Sequence, residues 1–132
     1  MKEFELQIVT PDGLIFDGNA ERLTVRADDG DVEILAGHVD YVASLGTGTA
    51  RLVSDGKERA AAASGGFITV SGGKVKLVAV TFEFAEEIDV ERARRARERA
   101  LEMRREAKTE REIALAEARL KRAMSRISAA GK

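Results

Sequence analysis

Six arginines carry the sharpest chemical signal in this chain of 132 residues. Arg92, Arg95 and Arg99 recur at spacings of three and four, and Arg119, Arg122 and Arg126 repeat the pattern. On a helix, residues three and four apart share a face, so each trio forms a stripe. Guanidiniums gathered in this way either pair with carboxylates or hold a polyanion such as a nucleoside triphosphate, whose oxygens fit their planar forks of donors. If the two stripes lie on antiparallel helices, Arg92 comes towards Arg122 and Arg126, with Asp89 beside them. Arg94, Arg97, Arg104 and Arg105 read instead as a solvated face laced by ion pairs about one turn apart.

Covalent catalysis has little to work with. The only histidine, His38, has no motif around it that assembles a triad, and reads as a loop residue bonded to backbone. The absence of cysteine removes disulfide frameworks, thiolate metal sites and cysteine nucleophiles. The glycine pairs in Ser64-Gly65-Gly66-Phe67 and Ser71-Gly72-Gly73-Lys74 lack the spacing of a phosphate-binding loop and read as hairpin turns. No catalytic residue and no metal site is expected, and so no enzyme.

The elements that must position the arginines divide the chain in two. Residues 1–87 carry eight basic and fifteen acidic side chains, and residues 88–132 carry fourteen and eight, so the formal net charge of −1 conceals two opposite surpluses. Eleven of the 12 glycines, the only proline (Pro11) and all the aromatic residues precede residue 88. The basic segment interleaves its arginines with acidic residues and has no aromatic for base stacking, which argues against nucleic acid. The amino-terminal MKEFELQIV is acidic where a signal peptide is apolar, and no window approaches ~18 uninterrupted apolar residues. A soluble intracellular chain, without direct membrane insertion, is expected.

From Ile88 the apolar period becomes helical, and neither Gly nor Pro occurs between Asp89 and Ala130. Asp89 is placed to cap the first turn. Small and apolar residues repeat at Ala93, Ala96, Ala100, Met103 and Ala107, then in a new register at Ile113, Ala116, Leu120, Ala123, Ile127 and Ala130. Thr109-Glu110-Arg111-Glu112 at the break is a capping-box pattern. Two antiparallel helices over 89–105 and 110–129 are the preferred reading. An unbroken rod of about 40 residues is the alternative, and an element that can adopt both is equipped to switch.

The first segment reads as about ten short strands in an antiparallel β-sandwich, with alternating residues separated by turn signals. Strands are expected at 4–8, 14–16, 22–27, 32–35, 41–45, 49–53, 59–63, 67–70 and 74–80. Pro11-Asp12-Gly13, Asp17-Gly18 and Ser54-Asp55-Gly56 are among the expected turns.

Several strings in this order resemble the epsilon subunit of the bacterial F-type ATP synthase: VTPDG from Val9, the Asp29-Gly30-Asp31 turn followed by ILAGH to His38, SGGF from Ser64, IDVERA from Ile88 and LKRAMSRI from Leu120. The resemblance spans the chain and implies a sandwich (1–87) that docks on a gamma subunit and a membrane rotor ring of c subunits. It also implies a helical arm (88–132) that permits turnover when folded back and blocks ATP hydrolysis when extended into the catalytic alpha/beta head. By the same resemblance, IDVERA matches a motif that binds ATP without hydrolysing it. That carries Glu83, Ile88, Asp89, Arg92, Ala93, Arg122 and Arg126 over as nucleotide ligands, with or without Mg²⁺; Arg99 joins them from the stripe geometry. Asp31 takes the family's rotor-ring contact position, with His38 as a further candidate.

The chain departs from the family pattern at Glu33, Ala36, Val39 and Asp40, where Gly, Pro and Ala-Pro are usual. The resemblance implies a proton- or sodium-translocating machine at the cytoplasmic face of the cell membrane, with this chain a peripheral, non-catalytic part. A free-standing nucleotide-binding or scaffold module without a rotary partner is the alternative.

Overall fold

The computed structural model describes residues 2–131; Met1 and Lys132, the outer limits of the two expected segments, lie outside the described residues. Ten strands form two five-stranded sheets. One sheet has the order β2 (Gly13–Ala20), β1 (Phe4–Thr10), β9 (Lys74–Val78), β8 (Phe67–Ser71) and β5 (Tyr41–Ser44). The other runs β10 (Thr81–Phe84), β7 (Lys57–Ser64), β6 (Thr47–Ser54), β3 (Arg22–Ala27) and β4 (Gly30–Leu35). Alternate residues face inward, and Leu6, Ile8, Leu23, Ile34, Leu52, Ile68 and Leu77 are fully buried between the sheets. The named strand pairs are antiparallel except β1 with β9, which run parallel, since two hairpins of the first sheet join through strands of the same direction.

Three local expectations differ from what forms. Asp17-Gly18 is no turn: both residues lie inside β2, opposite Gln7 and Leu6. Gly65-Gly66 is a crossover rather than a hairpin, because β7 belongs to one sheet and β8 to the other. The Cβ that Gly66 lacks would lie 1.8 Å from the carbonyl oxygen of Val78, at a φ of +93°, so glycine is required for the chain to pass there. The expected strand 74–80 is broken at Ala79 and Val80, whose N–H groups donate to Val9 O and Ser64 O, and the chain then changes sheet to form β10.

A 3-10 turn, Ala85–Glu87, leads into α1 (Val90–Glu106) and α2 (Glu110–Ala129), an antiparallel hairpin. Asp89 caps α1 by accepting from Arg92 N–H at 3.1 Å. Thr109 caps α2 by accepting from Glu112 N–H at 3.1 Å, and its hydroxyl donates to Glu112 Oε1 at 3.2 Å. Ala107 has left helical dihedrals (ψ 136°), which separates the helices. Ala93 and Ala100 are buried against Ala116, Leu120, Ala123 and Ile127, close to the expected seam, although Ile113 stays exposed.

Helix α2 also packs on the outer face of β6 and β7. The run Ala60-Ala61-Ala62-Ala63 makes this possible. Ala61 points into the sandwich core, while Ala62 on the opposite face forms a small second core with Ile88 and Ala129. The turn before the arm is tied down separately: Arg59 donates to Glu86 Oε1 through Nε (2.8 Å) and Nη2 (2.5 Å), and its guanidinium lies 3.6 Å above the Phe84 ring.

A candidate anion-binding cleft between arm and sandwich

Folding brings together the first turns of α1, the last turns of α2 and the end of β10. Between them is a cleft of 260 Å³ lined by Glu83, Asp89, Arg92, Ala93, Ala96, Arg99 and Arg126. Six of the eight residues expected at a nucleotide site thus share one cavity. Two do not. Ile88 turns its side chain into the small core with Ala62 and Ala129, and its N–H donates to Ala85 O at 3.2 Å. Arg122 lies one turn further down α2, in an adjoining cleft of 240 Å³ with Ala96, Arg99, Ala100, Met103, Arg119 and Arg126.

Polar geometry in the first cleft is uneven. Arg126 Nε lies 3.3 Å from Glu83 Oε1, and this is the only ion pair joining sandwich and arm among the described residues. One oxygen of Asp89 serves the helix cap. Arg92 and Arg99 have no carboxylate within ion-pair distance among the described residues, whereas Arg94, Arg97 and Arg105 on the outer face of α1 pair with Glu91, Glu98 and Glu102. Three outward arginines are thus neutralised locally, while of the three lining the cleft only Arg126 is paired and Arg92 and Arg99 keep their charge available. Such an arrangement can bind a multivalent anion without transforming it, because the cleft sets no nucleophile beside a base.

A third cavity, of 240 Å³, lies under α2 against the sandwich, and no sequence motif marks it. It is lined by Thr10, Thr47, Ser64, Thr81 and Ser125 together with Arg122 and Arg126. Thr47 and Ser64 hydroxyls share a hydrogen bond of 2.9 Å. Scattered Ser and Thr have no spacing that reveals them: strand pairing sets Thr47 and Thr81 on either side of Ser64, and the docking of α2 then brings Ser125 over them.

The two rotor-ring candidates lie at opposite ends of β4, the edge strand of its sheet. Asp31 is exposed at its start, 3.5 Å from Arg26 Nη1. His38 follows its end, half-buried, with Nδ1 2.7 Å from the Val39 carbonyl and its ring edge-on to Tyr41 at 5.7 Å. From Asp31 to Leu35 the strand alone spans roughly 13 Å at 3.3 Å per residue. No helix among the described residues is long and apolar enough to cross a membrane.

Comparison with known proteins agrees with this architecture. Residues 3–85 match the family model of the ATP synthase delta/epsilon chain β-sandwich domain, and residues 86–131 match that of its long α-helix domain. An ATP synthase epsilon chain of Bacillus velezensis is 43% identical over 131 residues, covering 99% of both chains. One from Bacillus pumilus is 41% identical over the whole of both. A chain in the cryo-EM structure of Euglena gracilis mitochondrial ATP synthase (OSCP, F1 and c-ring) superposes with a TM-score of 0.85 at 27% identity, over 98% of this chain and 82% of that one. With both of its parts matched in order, the chain belongs to the ATP synthase delta/epsilon chain family.

Proposed function

We propose that the protein is a non-catalytic central-stalk subunit of an F-type ATP synthase, whose sandwich docks on the gamma subunit and the rotor ring and whose arm regulates ATP hydrolysis. The observation that carries this reading is the full-length similarity to curated epsilon chains, running without interruption through both parts. Folded back as described here, the arm leaves the catalytic alpha/beta head free; extended, it enters the head and stops hydrolysis. The complex is peripheral at the cytoplasmic face of a membrane and couples to proton or sodium flow. Asp31, exposed on the edge strand, supplies the ring contact in this reading.

The cleft shared by β10, α1 and α2 holds ATP as a regulatory ligand. Arg92, Arg99 and Arg126 address its phosphates with Arg122 just beyond, while Asp89, Glu83 and the Ile88 backbone lie at the nucleoside end. A ligand that needs both helices and β10 stabilises the folded arm by RT ln(1 + [L]/Kd), about 2.7 kcal/mol at a hundredfold excess over Kd. Two experiments separate the parts. Co-purification with a gamma subunit is expected; nucleotide binding without it points to a free-standing module. Calorimetric titration with millimolar ATP is expected to give heat that disappears in Arg92→Ala, and an unchanged signal in that variant removes the nucleotide site while leaving the subunit role intact.

A further inference from the structure

We infer that the groove between α1 and α2 takes a linear polyphosphate chain longer than a triphosphate, and that Arg119 is the cation meeting its far end. The inference deepens the nucleotide reading of the first cleft, on which it rests only for where the near end lies. The two clefts along the helix interface share Ala96, Arg99 and Arg126, so they form one continuous groove. From the level of Arg92 to that of Met103, α1 advances eleven residues, about 16 Å at 1.5 Å per residue. Two of the α1 residues lining it, Ala96 and Ala100, are alanine, and the Arg119–Met103 contact is the one side-chain hydrogen bond spanning it among the described residues.

Charge follows the same line. Arg92, Arg99, Arg119 and Arg122 have no carboxylate within ion-pair distance among the described residues, and Arg126 has one, Glu83. Arg119 is moreover held across the groove: its Nη1 donates to Met103 Sδ on the opposite helix at 3.4 Å. A thioether is a weak acceptor, so a phosphate oxygen replaces it readily. With the nucleoside end beside Asp89 and Glu83, three phosphates occupy Arg92, Arg126 and Arg99 or Arg122, and a fourth reaches Arg119. The ligand class is a chain of four or more phosphates, either capped by a nucleoside or free.

The test is calorimetric titration of the full chain, in the presence of chelator, with ATP, adenosine 5′-tetraphosphate and linear inorganic tetraphosphate. The adenosine tetraphosphate is expected to bind roughly fivefold more tightly than ATP, the size of one added charge pair at an exposed site. That ratio falls to about one in Arg119→Gln and is retained in Arg104→Gln, which loses the same charge on the outer face of α1. A ratio near one in the unmodified chain, a ratio that survives Arg119→Gln, or an equal loss in Arg104→Gln overturns the inference. If ATP fails to bind but inorganic tetraphosphate binds and weakens in Arg119→Gln, the nucleotide reading falls and the groove stands. Binding of none of the three removes the groove.

Discussion

Replacing Gly66 by alanine tests whether the crossover between the sheets is as tight as its geometry implies. The added Cβ meets Val78 O at 1.8 Å, Val78 C at 2.8 Å and Ala79 Cα at 2.9 Å, all of them backbone atoms that cannot rotate away. Its φ of +93° adds strain of roughly 1–2 kcal/mol for a residue with a Cβ. Moving a packed segment to relieve such overlap costs about 1–3 kcal/mol more. The surroundings resist movement: Gly66 O accepts from Leu45 N–H at 2.9 Å, and Ala79 N–H donates to Val9 O at 2.9 Å, so a shift at Val78 disturbs three strands. Gly72, in the β8–β9 hairpin, is the control, because its φ of +57° carries the strain but nothing lies within 4 Å of an added Cβ. In urea or thermal unfolding followed by circular dichroism, Gly66→Ala is expected to lose about 2–5 kcal/mol and Gly72→Ala about 1–2 kcal/mol. At about 4–8 °C per kcal/mol for a domain of this size, the two melting points differ by at least several degrees. Equal melting points refute the argument, since they leave the overlap with Val78 without effect.

Other perturbations probe the arm. Ala62→Glu places a carboxylate under α2 beside Ile88 and Ala129, disfavouring docking by about 2 kcal/mol or more; tryptic cleavage within α2 is expected to accelerate while the sandwich melting point holds, because Ala62 faces away from the main core. A double-mutant cycle of Glu83→Gln and Arg126→Ala is expected to give a coupling of roughly 0.5–1 kcal/mol between two partly exposed side chains, declining in high salt, and a coupling independent of salt contradicts an exposed pair. Glu86 is held below its ordinary value of 4.5, first by a backbone hydrogen bond and then by the Arg59 side chain. Its stabilising contribution is therefore present above pH 4.5 and is lost as pH falls through the lowered value. The stability difference between the unmodified chain and Glu86→Gln is expected to be constant near neutrality and to close only in acid.

Local chemistry was the legible part. Asp89 and Thr109 could be recognised as caps because each bond joins groups three residues apart in the same chain segment. The arginine stripes were readable because helical spacing alone sets a shared face. What escaped depends on distant partners. Between Lys74 and Val80 the alternation gives way to the apolar run Leu77-Val78-Ala79-Val80 with no Gly, Pro or other turn residue, and the strand ends because Val9 and Ser64 offer hydrogen-bond acceptors from different sheets. Gly65-Gly66 has the composition of a hairpin, and its real constraint, the carbonyl of Val78, is set by where β9 leaves its sheet. Likewise the stripe spacing identifies Arg122 and Arg126 as neighbours, but how the helices meet decides that Arg126 enters the first cleft while Arg122 lines the second.

The clamp of Arg59 on Glu86 and Phe84 has a mechanical meaning for the arm. It anchors the backbone as far as Glu87, so any swing of α1 relative to the sheets turns about Ile88 and Asp89, both in extended conformation. Asp89 is also a wall of the candidate cleft, which places that cleft at the fulcrum of a lever. Helix α1 has 17 residues, about 26 Å at 1.5 Å per residue, so a rotation of about 10° at the pivot moves its far end by roughly 4 Å. On the proposed reading, a ligand gripping the fulcrum would govern displacements at the tip far larger than the adjustments it makes at its own contacts.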